Sequence, residues 1–236
     1  MTNPEPHAVP EMTAASVEDS VADSVPDSIP AIPPNNLQQV HRLRKYALRL
    51  GGVALFALIV FTQAYWHHST AIHDMIRAVG FVAIAICIFG RGWCALYIGG
   101  RKKTELVTTG PYSICRNPLY MFSFIGAFGA GAQSGSILIA CACLLVCVGV
   151  FRPVVLLEEK VLMQTFGRAY RVYCNTVPRF RPTWYRWRDV SDITCRPALF
   201  VRTVRDACWF VVAIPLCEAV KMAQDSGWIK PLVTLF

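Results

Sequence analysis

Residues 120–157 read YMFSFIGAFGAGAQSGSILIACACLLVCVGVFRPVVLL, a stretch whose only charge is Arg152. Two apolar runs, Tyr120 to Ala132 and Ile137 to Leu157, flank Gln133-Ser134-Gly135-Ser136, a four-residue turn. A helix that satisfies its own backbone hydrogen bonds is the structure such runs adopt in lipid. The short turn then makes the pair an antiparallel hairpin. Gly126, Ala127, Ala130 and Gly131 place small side chains where another helix can approach closely.

The same texture recurs upstream. Leu48 to Trp66 is about 19 residues, enough at about 1.5 Å per residue to cross a hydrocarbon core of about 30 Å, and Ile76 to Ile98 follows as a second span with one charge, Arg91. Arg91 lies near one end, where it can serve a site or reach outward to the headgroups. Downstream, Ala207 to Cys217 is apolar but short and contains Pro215, so it crosses only if Glu218 and Lys221 reach the interface or the bilayer thins. The expected fold is therefore all-α: a multispan integral membrane helical protein with four spans plus a possible fifth, and with cytoplasmic helical segments forming the site. Composition agrees, since 54% of residues are hydrophobic and only 16% charged, against about 25% charged in ordinary soluble domains.

Charge is distributed unevenly. Residues 1–36 hold six acids, no Lys or Arg and seven of the 15 prolines, so they read as a disordered acidic tail; the start also lacks the layout of a cleaved signal peptide. The rest of the chain carries a surplus of +14. Arg42, Arg44, Lys45 and Arg49 precede the first span, Arg101, Lys102, Lys103 and Arg116 follow the second, and a basic run from Lys160 to Arg205 follows the fourth. Positive loops stay cytoplasmic, which places the 101–118 loop and the 158–205 segment on that side. Four regions result: 1–36 as tail, 37–100 as the first two spans, 101–182 as the cofactor-binding and catalytic core with spans three and four, and 183–236 as a basic-aromatic interfacial segment and C-terminal helix. The stretch RFRPTWYRWR at 179–188 interleaves cations with aromatics, which beside membrane spans points to anionic lipid headgroups and not to nucleic acid. The ten cysteines include no CxxC pair and read as small buried side chains. His67, His68, His73 and Asp74 read as a solvated loop on the opposite side, so no metal is expected.

Two cytoplasmic segments are dense in chemistry. In LVTTGPYSICRNPLY (106–120), Gly110-Pro111 and Asn117-Pro118 force turns, and Pro118 suits the first position of the third span. Arg116, Asn117 and Tyr120 then gather at a helix N-terminus, a cation, an amide and a phenol suited to a small polar ligand such as a carboxylate. In the second, 157–182, the anions Glu158 and Glu159 fall where a helix continues past the membrane until Gly167 stops it. Adjacent residues point about 100° apart, so one acid can face a ligand while the other pairs with a cation such as Arg168, Arg171 or Arg179. Tyr170 and Tyr173 lie on a further short helix that Pro178 ends. Residues alone stop at an integral membrane protein with a polar cytoplasmic site.

In order, GRGW (90–93), LVTTGPY, RNPLY, EE, FGRAYRVY and VPRFRP resemble the isoprenylcysteine carboxyl methyltransferase family and its phospholipid methyltransferase relatives. The resemblance covers about residues 89–182 and implies a membrane methyltransferase that takes S-adenosylmethionine from the cytoplasm and a lipid-like or prenyl-like acceptor from the bilayer. It implies cofactor contacts from Leu106, Val107, Gly110, Pro111, Tyr112, Asn117, Tyr120, Glu158 and Tyr170, and catalytic roles for Arg116, Glu158, Glu159 and Arg171. Asn117 stands in the family's usual His place and Phe122 where the family often has Gly, so a narrower pocket is expected. Methyl transfer itself demands placement, exclusion of water and an acceptor in its nucleophilic form. Two alternatives remain: an NADPH-dependent sterol-type reductase, whose carboxyl-terminal pattern is similar but is expected to show further basic and acidic residues where this chain has Glu158-Glu159-Lys160, and a non-enzymatic membrane assembly subunit.

Overall fold

The computed structural model describes residue 46 and residues 51–54, 56–57, 59–64, 70–99, 105–229 and 233–235. The acidic segment 1–36, the bases at 101–103, and His67 and His68 lie outside these residues. The first apolar run is helical at 51–54, 56–57 and 59–61 (α1) and does not continue to Trp66. Thr62–Ala64 (β1) is extended instead and pairs in parallel with Val233–Leu235 (β2), Thr62 opposite Val233. Thr62 and Val233 are β-branched, which favours this small pairing over another helical turn.

Helix α2, Thr70–Ile98, has 29 residues and starts six before the expected Ile76. A four-residue helix α3, Pro111–Ile114, precedes α4, Pro118–Ala132. Helix α5 runs Ile137–Thr176. Its N-terminus is capped by Ser136, whose Oγ accepts from the Ile139 N–H at 3.5 Å. Gly167 interrupts α5 with φ 48° and ψ −118°, so Tyr170 and Tyr173 do sit on a separate terminal piece ended before Pro178. Helix α2 over Ala71–Ile98 and helix α5 are each long and apolar enough to cross a membrane. Helix α4, at 15 residues, covers only about 22 Å by itself.

Helix α4 lies between α2 and α5, and its small residues serve both contacts. A Cβ on Gly129 would come 2.7 Å from the Gly80 carbonyl oxygen of α2, and one on Gly131 would come 2.7 Å from the Ala140 Cα of α5. Backbones this close gain dispersion contacts that larger side chains would forbid. Arg91 turns inward, donating to the Ser123 hydroxyl of α4. Cys87, Cys94 and Cys147 fill this core, whereas Cys141 and Cys208 are exposed.

The C-terminal apolar run is the middle of a longer composite: α6, Pro197–Cys208, a 3-10 turn at Trp209–Val212, and α7, Ala213–Asp225. Pro215 has no N–H for the Val211 carbonyl four residues back, and the hydrogen bonding changes over that turn. At one end the Arg196 N–H donates to the Gly99 carbonyl at 3.4 Å; at the other, Glu218 is ion-paired with Arg77. The composite therefore runs antiparallel to α2 along its length. Glu218 is thus neutralised by a partner on α2. Beyond it, the Gln224 Nε2 donates to the Val60 carbonyl at 2.9 Å, tying α7 to the end of α1.

Candidate active site

The site forms where the C-terminal end of α2, the 105–120 segment and the second half of α5 converge. Its frame is a backbone clamp between residues 110–117 and 178–188. Gly110 N–H donates to the Arg188 carbonyl (2.7 Å), Thr183 N–H to Ile114 (3.0 Å), Arg116 N–H to Pro178 (2.9 Å) and Asn117 N–H to Arg179 (3.2 Å). These pairs satisfy backbone groups that no helix can, because Gly110-Pro111 and Asn117-Pro118 break the ladder. Gly110 takes φ 58°, and the ring of Tyr97 rests on its Cα where any side chain would stand. The Tyr97 hydroxyl then donates to Asp189 Oδ1 at 2.7 Å, fixing the turn and the 188–189 strap together.

Glu159 is the electrostatic centre of the frame and is 8% exposed. Its Oε1 accepts from Asn117 Nδ2 at 2.8 Å, and its Oε2 accepts from Arg179 Nε at 2.9 Å and Nη2 at 2.8 Å. Arg116 Nε stands 3.9 Å from Oε1. One buried carboxylate thus joins α5, the Arg116-Asn117 turn and the Val177-Pro178-Arg179 segment.

Above this frame opens a cleft lined by Ile98, Glu105, Leu106, Val107, Tyr112, Arg116, Asn117, Leu119, Tyr120, Glu158, Leu162, Tyr170 and Tyr173. Of the residues singled out from sequence, Leu106, Val107, Tyr112, Arg116, Asn117, Tyr120, Glu158 and Tyr170 are brought together around it. Gly110 and Pro111 shape the turn behind Tyr112 without lining the cleft, Glu159 lies in the frame, and Arg171 lies on α5 outside the lining set. Phe122 does not narrow this cleft: its ring seats on Gly90 in an apolar groove on the outer face of α2, with Phe89 and Trp93. Sequence reading missed Glu105, Ile98, Leu119, Leu162 and Tyr173 as lining residues. Tyr173 was signalled by its spacing of three from Tyr170, and Leu162 by its spacing of four from Glu158, each on one helix face.

The cleft combines two carboxylates, Glu105 and Glu158, with a guanidinium and four phenols. The Tyr112 hydroxyl is buried with no hydrogen-bond partner among the described residues. Burial pushes the phenol of Tyr112 well above its usual range, aided by neighbouring Cys94 and Tyr173. The phenols of Tyr170 and Tyr173 are raised as well, first by burial and then by nearby Glu159 and Cys115 respectively. All three remain neutral hydrogen-bonding groups at physiological pH and not bases. The Tyr173 hydroxyl donates to the Tyr112 carbonyl at 2.7 Å, so it orients α3 beneath the cleft.

This inventory fits S-adenosylmethionine by donor type. Glu158 suits the ammonium, Arg116 the carboxylate, the phenol faces a sulfonium cation, and the orphaned Tyr112 hydroxyl a polar group of the ligand. No group of three or more His, Cys, Asp or Glu side chains among the described residues is arranged to hold a metal ion.

Residues 48–169 match the model of the phospholipid methyltransferase family. The chain is 36% identical over 183 residues to the nickel-cobalt-cadmium resistance protein NccN of Alcaligenes xylosoxydans xylosoxydans, covering 78% of this chain and 84% of that protein. It is 31% identical over 181 residues to the cobalt-zinc-cadmium resistance protein CzcN of Cupriavidus metallidurans, covering 77% and 83%. No solved structure matches.

Proposed function

From the chain's membership of the phospholipid methyltransferase family, we propose that it is an integral membrane, S-adenosylmethionine-dependent methyltransferase acting on a lipophilic acceptor. The observation that carries the reading is the cleft itself, in which the Arg116-Asn117-Pro118-x-Tyr120 element and Glu158 converge although more than 35 residues separate them. The bound cofactor supplies an electrophilic methyl on a sulfonium. The protein's part is to hold, orient and keep water away: Glu158 and Arg116 anchor a zwitterion, Tyr120 and Tyr170 border the reacting region, and Leu106, Val107 and Leu162 exclude solvent. Asn117, pinned to Glu159, acts through the frame; unlike the His usual at this place, it can neither take up nor release a proton at neutral pH.

The proposed arrangement is multi-pass, with the cleft facing the cytoplasm and the composite α6–α7 as a further crossing beside α2. The acceptor is an electron-rich organic group such as a carboxylate, amine or thiol. The names of the two relatives suggest a setting in resistance to nickel, cobalt, zinc and cadmium, but a divalent cation offers no electron pair to an electrophilic methyl. The metal is therefore outside the transfer step. The same names favour one second reading, a non-enzymatic subunit of a resistance assembly. Incubating the purified full-length chain with methyl-labelled S-adenosylmethionine and extracted lipids separates the two. Label in a lipid-phase product supports the enzyme, and its absence across lipid classes, with donor binding also absent, supports the subunit.

A further inference from the structure

A second cleft, of about 540 Å³, lies along the α5 terminus beside the candidate active site, with which it shares Tyr173. Thr108, Ser113, Thr176, Arg186, Trp187 and Arg188 are among its walls, and no Asp or Glu is among its described lining residues. Most of its hydroxyls are already committed. Ser113 Oγ donates to the Gly110 carbonyl at 2.6 Å and accepts the Arg188 N–H at 3.1 Å, and Thr176 Oγ1 donates to its own helix at 3.1 Å. The cations are what the cleft has left to offer. Arg186 donates Nε to the Tyr185 hydroxyl at 3.2 Å and sets its guanidinium 5.3 Å from the Tyr185 ring centroid, and neither terminal amine has a hydrogen-bond partner among the described residues.

The strap that carries these arginines is held on three sides. The Arg188 carbonyl accepts from Gly110, its N–H is taken by Ser113, and the Trp187 ring stacks on Trp93 with centroids 5.4 Å apart. Two guanidinium groups on a fixed backbone, without a carboxylate to neutralise them, are preorganised for an oxyanion and lose little freedom on binding one. Their neighbours narrow its source. Trp184 is 66% exposed and Tyr185 82% exposed, beside the cations and next to the end of a membrane-capable helix, the composition of a headgroup-level belt.

We propose that this cleft binds the phosphodiester of an anionic phospholipid, with Arg186 and Arg188 on the phosphate and Trp184 and Tyr185 among the upper acyl chain atoms. Binding here is separate from methyl transfer and from the identity of the methyl acceptor. It fixes the height of the strap, and through Gly110 the height of the active-site turn, relative to the bilayer surface.

The test is calorimetric titration of the full-length chain, in an uncharged detergent, with dihexanoyl-phosphatidylglycerol. Saturable binding is expected, weakened about ten-fold or more in Arg186→Gln/Arg188→Gln, a difference of about 1.4 kcal/mol or more. Arg202→Gln/Arg205→Gln, a basic pair outside the cleft, should bind as the parent does. Dihexanoylglycerol, which lacks the phosphate, should not bind, and glycerol phosphate should bind at least about ten-fold more weakly than the lipid. Unchanged affinity in the Gln pair, or equal binding of dihexanoylglycerol, overturns the site. Glycerol phosphate binding as tightly as the lipid overturns the lipid assignment in favour of a soluble phosphate. Should the Gln pair fold poorly, Arg186→Lys/Arg188→Lys carries the test: it should retain binding that falls as salt is raised, and salt-independent binding contradicts the proposal.

Discussion

Arg179 sets both Nε and Nη2 on one oxygen of Glu159, at 2.9 and 2.8 Å, which leaves the other oxygen for Asn117. The pair joins residues 20 apart across the kink at Gly167, so the acidic residue is first a fastening of the active-site frame. Its neighbour Glu158, one helical step round, lines the cleft.

A double-mutant cycle on Glu159→Gln and Arg179→Gln should therefore show coupling in unfolding free energy. Glu159 is buried but the Arg179 side chain is 42% exposed, so solvent screens one end of the pair. The expected coupling is about 1–2 kcal/mol, between the values for exposed and buried pairs. Glu159→Gln should lower the thermal midpoint, whereas Glu158→Gln should leave it near the parent value. Additive effects in the cycle contradict the fastening role.

Two glycines with positive φ should respond differently to alanine. Gly167 (φ 48°) has open space around its Cα, so Gly167→Ala meets only backbone strain of about 1–3 kcal/mol. Gly110 (φ 58°) bears the Tyr97 ring, so Gly110→Ala adds a steric clash at a turn that also holds Arg188. Thermal unfolding should rank Gly110→Ala as the more damaging, with reduced yield of folded protein; equal losses contradict the packing argument.

The all-helical architecture was readable because its main signals are local. Unbroken apolar runs, a Ser-capped turn at 133–136, and Pro118 and Gly167 each act within a few residues of where they stand. That Glu158 and Glu159 face different neighbours followed from the 100° step of a helix. Tertiary partners were less legible. Nothing local in RFRPTWYRWR announces that its backbone clamps Gly110 and Asn117, nor that Phe122 packs on Gly90 and so leaves the cleft. The run 207–217 reads as short for an independent span because the charges of Arg202, Arg205 and Asp206 just before it hide its continuity with α6.

That continuity predicts topology. Ser191 precedes α6 and Ser226 follows α7, and both are exposed. If the composite crosses the membrane beside α2, then in a cysteine-free background Ser191→Cys should react with an impermeant maleimide only from the cytoplasmic side and Ser226→Cys only from the other. Reaction of both from one side contradicts a fifth crossing.

Cys115 supplies a pH signature. Burial raises its thiol from 9.0 to about 11, offset by the Asn117 backbone and Arg116, and its Sγ–H donates to the Arg179 carbonyl at 3.3 Å. A raised folded pKa means the protonated form is the stable one: its contribution is complete below about pH 9 and is lost as pH rises through about 11. Peptide mass spectrometry should therefore find Cys115 unalkylated by iodoacetamide at neutral pH until the chain is unfolded, and increasingly modified, with falling thermal midpoint, as the pH rises through that window. Rapid native alkylation at neutral pH contradicts the buried, donating thiol.

The enzymatic function requires that the cleft of Arg116, Asn117, Tyr120 and Glu158 hold a methyl donor. Isothermal titration of S-adenosylmethionine into the purified full-length chain measures this, with NADPH as the competing ligand and Glu158→Gln as the matched variant. Saturable binding of S-adenosylmethionine, no response to NADPH, and a loss of about ten-fold or more in Glu158→Gln at unchanged thermal midpoint is the predicted result, since a charge-assisted contact is worth about 1.5–3 kcal/mol. Binding of NADPH with no response to S-adenosylmethionine, or donor binding indifferent to Glu158→Gln, would contradict it.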